Sequence, residues 1–124
     1  LLRDASVEQI LKWNQTHSNF SEDQTLFDLI CERARLSPSS LAVKYENSSI
    51  TYSELVSSAK KISYWIREQL KNTQSCESPC VVGLLTSRGI EAIVGIVGII
   101  AAGCAYTPLD FSFPSSRLHY IIEQ

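Results

Sequence analysis

The chain has 124 residues, 44% of them apolar, with 11 basic and 13 acidic side chains and a formal charge of -2. That length suits one small domain or a portion of a larger one, and the apolar content excludes a disordered polymer. No block of like charge occurs, so nothing points to nucleic acid or an anionic membrane as partner.

In chain order, Ser6 with Gln9 makes a capping-box pattern, and Val7, Ile10 and Leu11 share one face of a short helix. Trp13 follows, then a polar stretch, Asn14–Gln24, that reads as linker. Thr25 with Asp28 repeats the cap pattern, and Leu26, Ile30 and Ala34 mark a helix that stops at Ser37-Pro38. Two β-prone runs, Leu41–Tyr45 and Ile50–Tyr52, flank a turn over Glu46–Ser49 and predict a hairpin. Thr51 and Glu54 form another capping box, so the strand passes directly into a helix. Its apolar face is Leu55, Ala59, Ile62, Ile66 and Leu70, and its polar face holds Ser57, Ser58, Lys60, Lys61, Arg67 and Lys71.

Asn72–Pro79 reads as a loop, and Val81–Leu85 as an apolar strand from the middle of a parallel sheet. Ser87-Arg88-Gly89 turns into an apolar helix from Ile90, which Gly103 ends. Ala105–Thr107 forms the next strand, closed by Pro108, and Pro114 opens a last helix through Leu118, Ile121 and Ile122. Strand, helix, strand, helix, strand is the order of an α/β layer with parallel strands and flanking helices. The stretch Ile90–Tyr106 is shorter than the roughly 20 residues of a membrane span and is studded with small residues, so it reads as a helix buried in protein. Its seven isoleucines and valines from Ile90 to Ile100 lie all round the helix. Burying each is worth about 1.5–3 kcal/mol, more cover than this chain offers, which points to part of a larger domain.

Candidate chemistry is sparse. Ser57 and Lys60 spell S-x-x-K, but the companion motifs of a serine–lysine enzyme are missing and both fall on the polar helix face. Thr86–Gly89 lies between a buried strand and a helix, where anions often bind, yet it holds a single glycine, so a tight turn with a surface arginine is the simpler reading. Trp13 is expected to pack against a neighbouring domain and Tyr106 in the core, with His17 and His119 on the surface. Cys31, Cys76, Cys80 and Cys104 lack the histidines and spacing of a zinc site and read as free thiols. The absence of an initiator methionine and of a charged-then-apolar leader reads as a start inside a longer polypeptide, with the cytoplasm as default location.

Several ordered stretches resemble one family. Ile50–Leu55 (ITYSEL) is similar to the first core motif of the adenylation domains of nonribosomal peptide synthetases, and Ile100–Asp110 (IAAGCAYTPLD) carries the second. Glu8–Thr16 resembles the linker between a condensation and an adenylation domain. Thr25–Val43 resembles the start of the adenylation domain; Arg88 to Glu91, and Phe113-Pro114 with Arg117-Leu118, fit the segments beside the second motif. The resemblance implies residues 1–24 as linker and 25–124 as the N-terminal part of the large subdomain of an adenylate-forming enzyme. It departs at Ala101, where the family usually has a lysine, expected to run along the helix surface with its charge in water.

The activity implied is ATP- and magnesium-dependent conversion of an amino acid to an aminoacyl-adenylate, then loading on the phosphopantetheine thiol of a carrier domain. The family's phosphate loop, metal ligand and mobile lysine belong to segments beyond Gln124. No catalytic, cofactor-binding or metal residue is therefore expected in this chain, and on its own it is expected to be inactive. The implied partners are the remainder of the adenylation domain, an upstream condensation domain and a downstream carrier domain. Two other readings stay open: an adenylate-forming ligase of the acyl-CoA synthetase type, and a non-catalytic relic that serves as an interaction piece.

Overall fold

The computed structural model describes residues 4–19, 23–71 and 80–123. The loop expected at Asn72–Pro79 lies outside them.

Helix α1 (Asp4–Trp13) begins before Ser6, so the Ser6–Gln9 pair lies inside the helix and is not its cap. A serine in a helix interior is tolerated, and the pattern alone does not fix the first turn. Helix α2 (Leu26–Leu36) does start from its capping box: the Thr25 amide donates to Asp28 Oδ2 at 2.9 Å, and the Asp28 amide donates back to Thr25 Oγ1 at 3.2 Å. It stops where expected, because the residue before Pro38 is pushed out of the helical region. Strands β1 (Leu41–Tyr45) and β2 (Ser48–Thr51) pair antiparallel. The turn is tighter than the sequence suggested. Glu46 adopts a left-handed conformation (φ 51°), which reverses the chain in two residues and leaves Ser48 and Ser49 in the ladder.

Helix α3 (Tyr52–Lys71) grows straight out of β2. The Thr51 amide and hydroxyl both donate to Glu54 Oε2 at 2.8 Å, and the Glu54 amide returns a bond to Thr51 Oγ1 at 3.3 Å. Strands β3 (Val81–Leu85) and β4 (Ala105–Leu109) are parallel, from Val81 opposite Ala105 to Leu85 opposite Leu109. Helix α4 (Ile90–Ala101) makes the crossover that parallel pairing requires. It ends in a Schellman motif: Gly103, at φ +83°, donates to Ile100, and Cys104 donates to Ile99. Helix α5 (Ser115–Ile122) follows Pro114, as expected.

Strand β4 runs past Pro108, which was expected to close it, and Pro108 sits opposite Leu84. The Ala105 amide donates to the Cys80 carbonyl at 2.9 Å, so alternate residues of β4 face β3 and Pro108 faces the other edge. A proline there removes no ladder bond.

The core is the contact of α3 with α4. Leu55, Ala59 and Val97 are buried with Phe27, Ile30, Val43 and Ile50 around them, which binds α2 and the hairpin to one end. Ile66, Ile99 and Cys104 are buried against Val82 and Leu84 at the other end. The opposite face of the β3–β4 pair is not so covered: Val81 is 60% exposed and Leu85 46%. The expectation of a strand buried in mid-sheet therefore fails within the described residues, where β3 and β4 form a sheet of two. Tyr106, expected in the core, is also exposed on the outer strand β4. Among the described residues no helix is long and apolar enough to cross a membrane.

Candidate functional site at the strand ends

In α/β layers, loops at the carboxyl ends of parallel strands form the usual ligand crevice. Here those loops are Thr86–Gly89, after β3, and Asp110–Pro114, after β4. Between them lies a cavity of about 620 Å3, open to solvent, bordered by Thr86, Ser87, Arg88, Asp110, Phe111 and Phe113 among others.

Each wall is fixed locally. The Asp110 carboxylate accepts the Ser112 amide at 2.8 Å and closes the turn as an Asx motif. That amide, the Ser112 hydroxyl and the charge of Arg88 hold the Asp110 carboxyl below its ordinary range. The Arg117 guanidinium stacks over the Phe113 ring, 4.4 Å from its centroid. On the β3 side, the Thr86 hydroxyl donates to the Ser87 carbonyl at 3.1 Å.

The N-terminus of α4 opens near this mouth, but it does not form a phosphate cradle. Gly89 caps it without any side-chain bond, and Glu91 carries a carboxylate in the first turn. That carboxylate folds back so far that a Cβ on Gly89 would lie 2.9 Å from Glu91 Oε2. The positive end of the helix dipole already faces an anionic side chain, and a bound phosphate would meet repulsion. Among the described residues no three His, Cys, Asp or Glu side chains gather to hold a metal ion. These residues therefore do not fit a nucleotide triphosphate or its magnesium.

The other sequence candidates scatter. Ser57 and Lys60 are both exposed on α3. Trp13 is 67% exposed on α1. His17 and His119 are exposed, with His17 Nε2 3.2 Å from Asn19 Oδ1. Cys104 is a buried free thiol and Cys31 a half-buried one, whereas Cys80 is disulfide-bonded, which corrects the reading of four free thiols. Ala101 also differs from expectation: it is only 9% exposed, and its carbonyl accepts Arg67 Nη2 at 2.7 Å. It lines a second cavity of about 480 Å3 together with Asp28, Lys60 and Arg67. A lysine there would start from the α3–α4 contact and not from open surface.

The chain matches the model of the AMP-binding enzyme family over residues 30–124. The chain belongs to that family. Its relatives include gramicidin S synthase 2 of Brevibacillus brevis, 32% identical over 99% of this chain and 3% of that protein. Bacitracin synthase 3 of Bacillus licheniformis is 33% identical over 91% of the chain and 2% of its own length. Among solved structures, the nonribosomal peptide synthetase FmoA3 in its AMPPNP-bound form superposes with a TM-score of 0.72 at 26% identity, over 94% of this chain and 12% of that one. The N-terminal subdomain of Klebsiella oxytoca NpsA shares the fold, with a TM-score of 0.62 at 17% identity. The chain spans only a small part of these relatives. This AMP-binding family member is thus a fragment of a peptide-synthetase adenylation domain, with the mixed α/β layer expected of one.

Proposed function

We propose that these residues build the N-terminal part of the large subdomain of an adenylation domain that activates an amino acid with ATP and loads it on a carrier-domain phosphopantetheine thiol. The observation that carries this is the AMP-binding match over residues 30–124, centred on the Thr51–Glu54 cap and the β3–α4–β4 unit. Their role is architectural. The capping box sets the start of α3, the α3–α4 contact carries the parallel pair, and the strand ends border an open cavity. ATP, magnesium and the amino acid are held by other segments of the complete domain, since the α4 N-terminus already faces Glu91. The exposed apolar face of β3 is covered by the remainder of the domain, residues 1–24 link it to a condensation domain, and the assembly works in the cytoplasm.

The test is ATP–pyrophosphate exchange by the complete polypeptide that contains this chain, with a panel of amino acids and of aryl and fatty acids. Exchange driven by one or a few amino acids is expected. Exchange driven only by aryl or fatty acids would move the chain to the acyl-CoA synthetase type, and no exchange with any acid would leave a non-catalytic relic.

A further inference from the structure

The edge at which the β3–β4 sheet grows can be read from three observations. First, α4 covers one face of the pair: Leu84 points at Gly95, where a Cβ would lie 2.7 Å from Leu84 Cδ1, and Val82 joins Leu84 in the core. Second, α5 lies on the other face. Tyr120, Ile121 and Ile122 border a cavity of about 530 Å3 with Val81, Gly83 and Thr107, whose side positions alternate with those of Val82 and Leu84. The helix after β4 thus reaches back across β3.

Third, the two free edges differ in chemistry. The Ala105 amide bonds to Cys80, so the alternation of a parallel ladder turns Ala105, Thr107 and Leu109 toward β3. Tyr106 and Pro108 then face the outer edge of β4, where Pro108 has no N–H to give. By the same alternation Val81, Gly83 and Leu85 aim intact amides and carbonyls at the outer edge of β3. One edge is blunted and the other is open.

Crossovers between parallel strands are right-handed almost without exception. With α4 on one face, the chain steps from β3 to β4; with α5 on the opposite face, the next step runs the other way. We infer that the polypeptide following α5 in the complete domain adds a parallel strand to the free edge of β3, giving the order β4–β3–new strand. The new strand turns β3 into an interior strand and covers the exposed Val81 and Leu85. It also puts the reversal of strand order beside the Thr86–Gly89 turn, so the crevice of this layer opens on the β3 side and not at β4.

This inference rests on the adenylation-domain reading, and its test is separable from it. Backbone amide exchange, resolved to single residues, is measured on the complete domain. The amides of Gly83 and Leu85 are expected to exchange as slowly as those of Thr107 and Leu109. Tyr106 should exchange roughly 100-fold faster or more, because an open edge exchanges without unfolding the sheet. Fast exchange at Gly83 and Leu85, or slow exchange at Tyr106, overturns the strand order. Pyrophosphate exchange on the same preparation reports the enzymatic reading alone. Its loss with the amide pattern intact refutes the activity and leaves the sheet assignment standing.

Discussion

A methyl group added at Gly98 would show whether α3 and α4 meet backbone to side-chain root. An ideal Cβ there lies 2.7 Å from both Cβ and Cγ2 of Ile62 and 3.2 Å from the Ala59 carbonyl oxygen. Comfortable carbon–carbon contact is about 3.5–4.0 Å, so the shortfall is about 1 Å. Ile62 cannot swing aside, because its Cβ is fixed to the α3 backbone and a β-branched side chain keeps one rotamer in a helix. The strain must move α3 itself, across a core that includes the fully buried Ala59. Overpacking of this kind costs about 1–3 kcal/mol, against a gain of about 1 kcal/mol for alanine over glycine in a helix. Gly98→Ala is expected to destabilise by about 1–2 kcal/mol.

Gly95 provides the contrast within the same helix. Its nearest neighbour is the Cδ1 of Leu84, also at 2.7 Å, but that is the free end of a flexible side chain. Gly95→Ala should be neutral or stabilising by up to about 1 kcal/mol. Urea titration followed by far-UV circular dichroism reads both variants, with the midpoint moving and the slope unchanged. In an Ile62→Ala background, which removes the clashing Cγ2, Gly98→Ala should cost less, with a coupling of about 0.5–3 kcal/mol. An unchanged midpoint for Gly98→Ala, or an equal penalty with and without Ile62, would refute the close approach.

Three further outcomes are expected. Thr51→Ala and Thr25→Ala each remove a capping box and should lower stability by about 0.5–2 kcal/mol in the same titration, whereas Ser6→Ala, which caps nothing, should not. The Thr51 and Thr25 bonds hold the Glu54 and Asp28 carboxyls below their ordinary values, so their contribution is present in full above about pH 4 and is lost as pH falls through the lowered values. Thermal midpoints should therefore drop in acid, and the drop should shrink in Thr51→Ala; an identical acid profile would remove the carboxylates from the account. Gly103→Ala meets nothing within 4 Å, so its penalty of about 1–2 kcal/mol would come from the positive φ alone, and Gly103→Asn, tolerant of that region, should recover part of it.

The places where sequence and structure agree share a physical cause. The Thr51–Glu54 and Thr25–Asp28 boxes, the stop before Pro38, the glycine at the end of α4 and the Asp110 turn each close within a few residues. Side-chain chemistry at those positions decides the backbone without help from elsewhere. The apolar face of α3 was legible for the same reason, since helical spacing alone aligns Leu55, Ala59 and Ile66. The candidate site was legible only as a turn between strand and helix; the folded-back Glu91 that blocks the α4 N-terminus depends on a rotamer.

What failed depends on distant partners. Pro108 was read as a strand end because a proline lacks a donor, but only the pairing with β3 decides which edge its missing N–H faces. Tyr106, Val81 and Leu85 are apolar and read as core, yet burial needs cover on the β3–β4 face that the described residues leave open. Ala101 was placed on a helix surface, and the packing of α3 puts it beside the Arg67 guanidinium. By itself, then, the sequence determined the elements, their caps and the family, because those rest on interactions a few residues long. The tertiary structure decided which side of each element is covered and which edge of the sheet stays open, because burial and strand pairing join residues far apart in the chain.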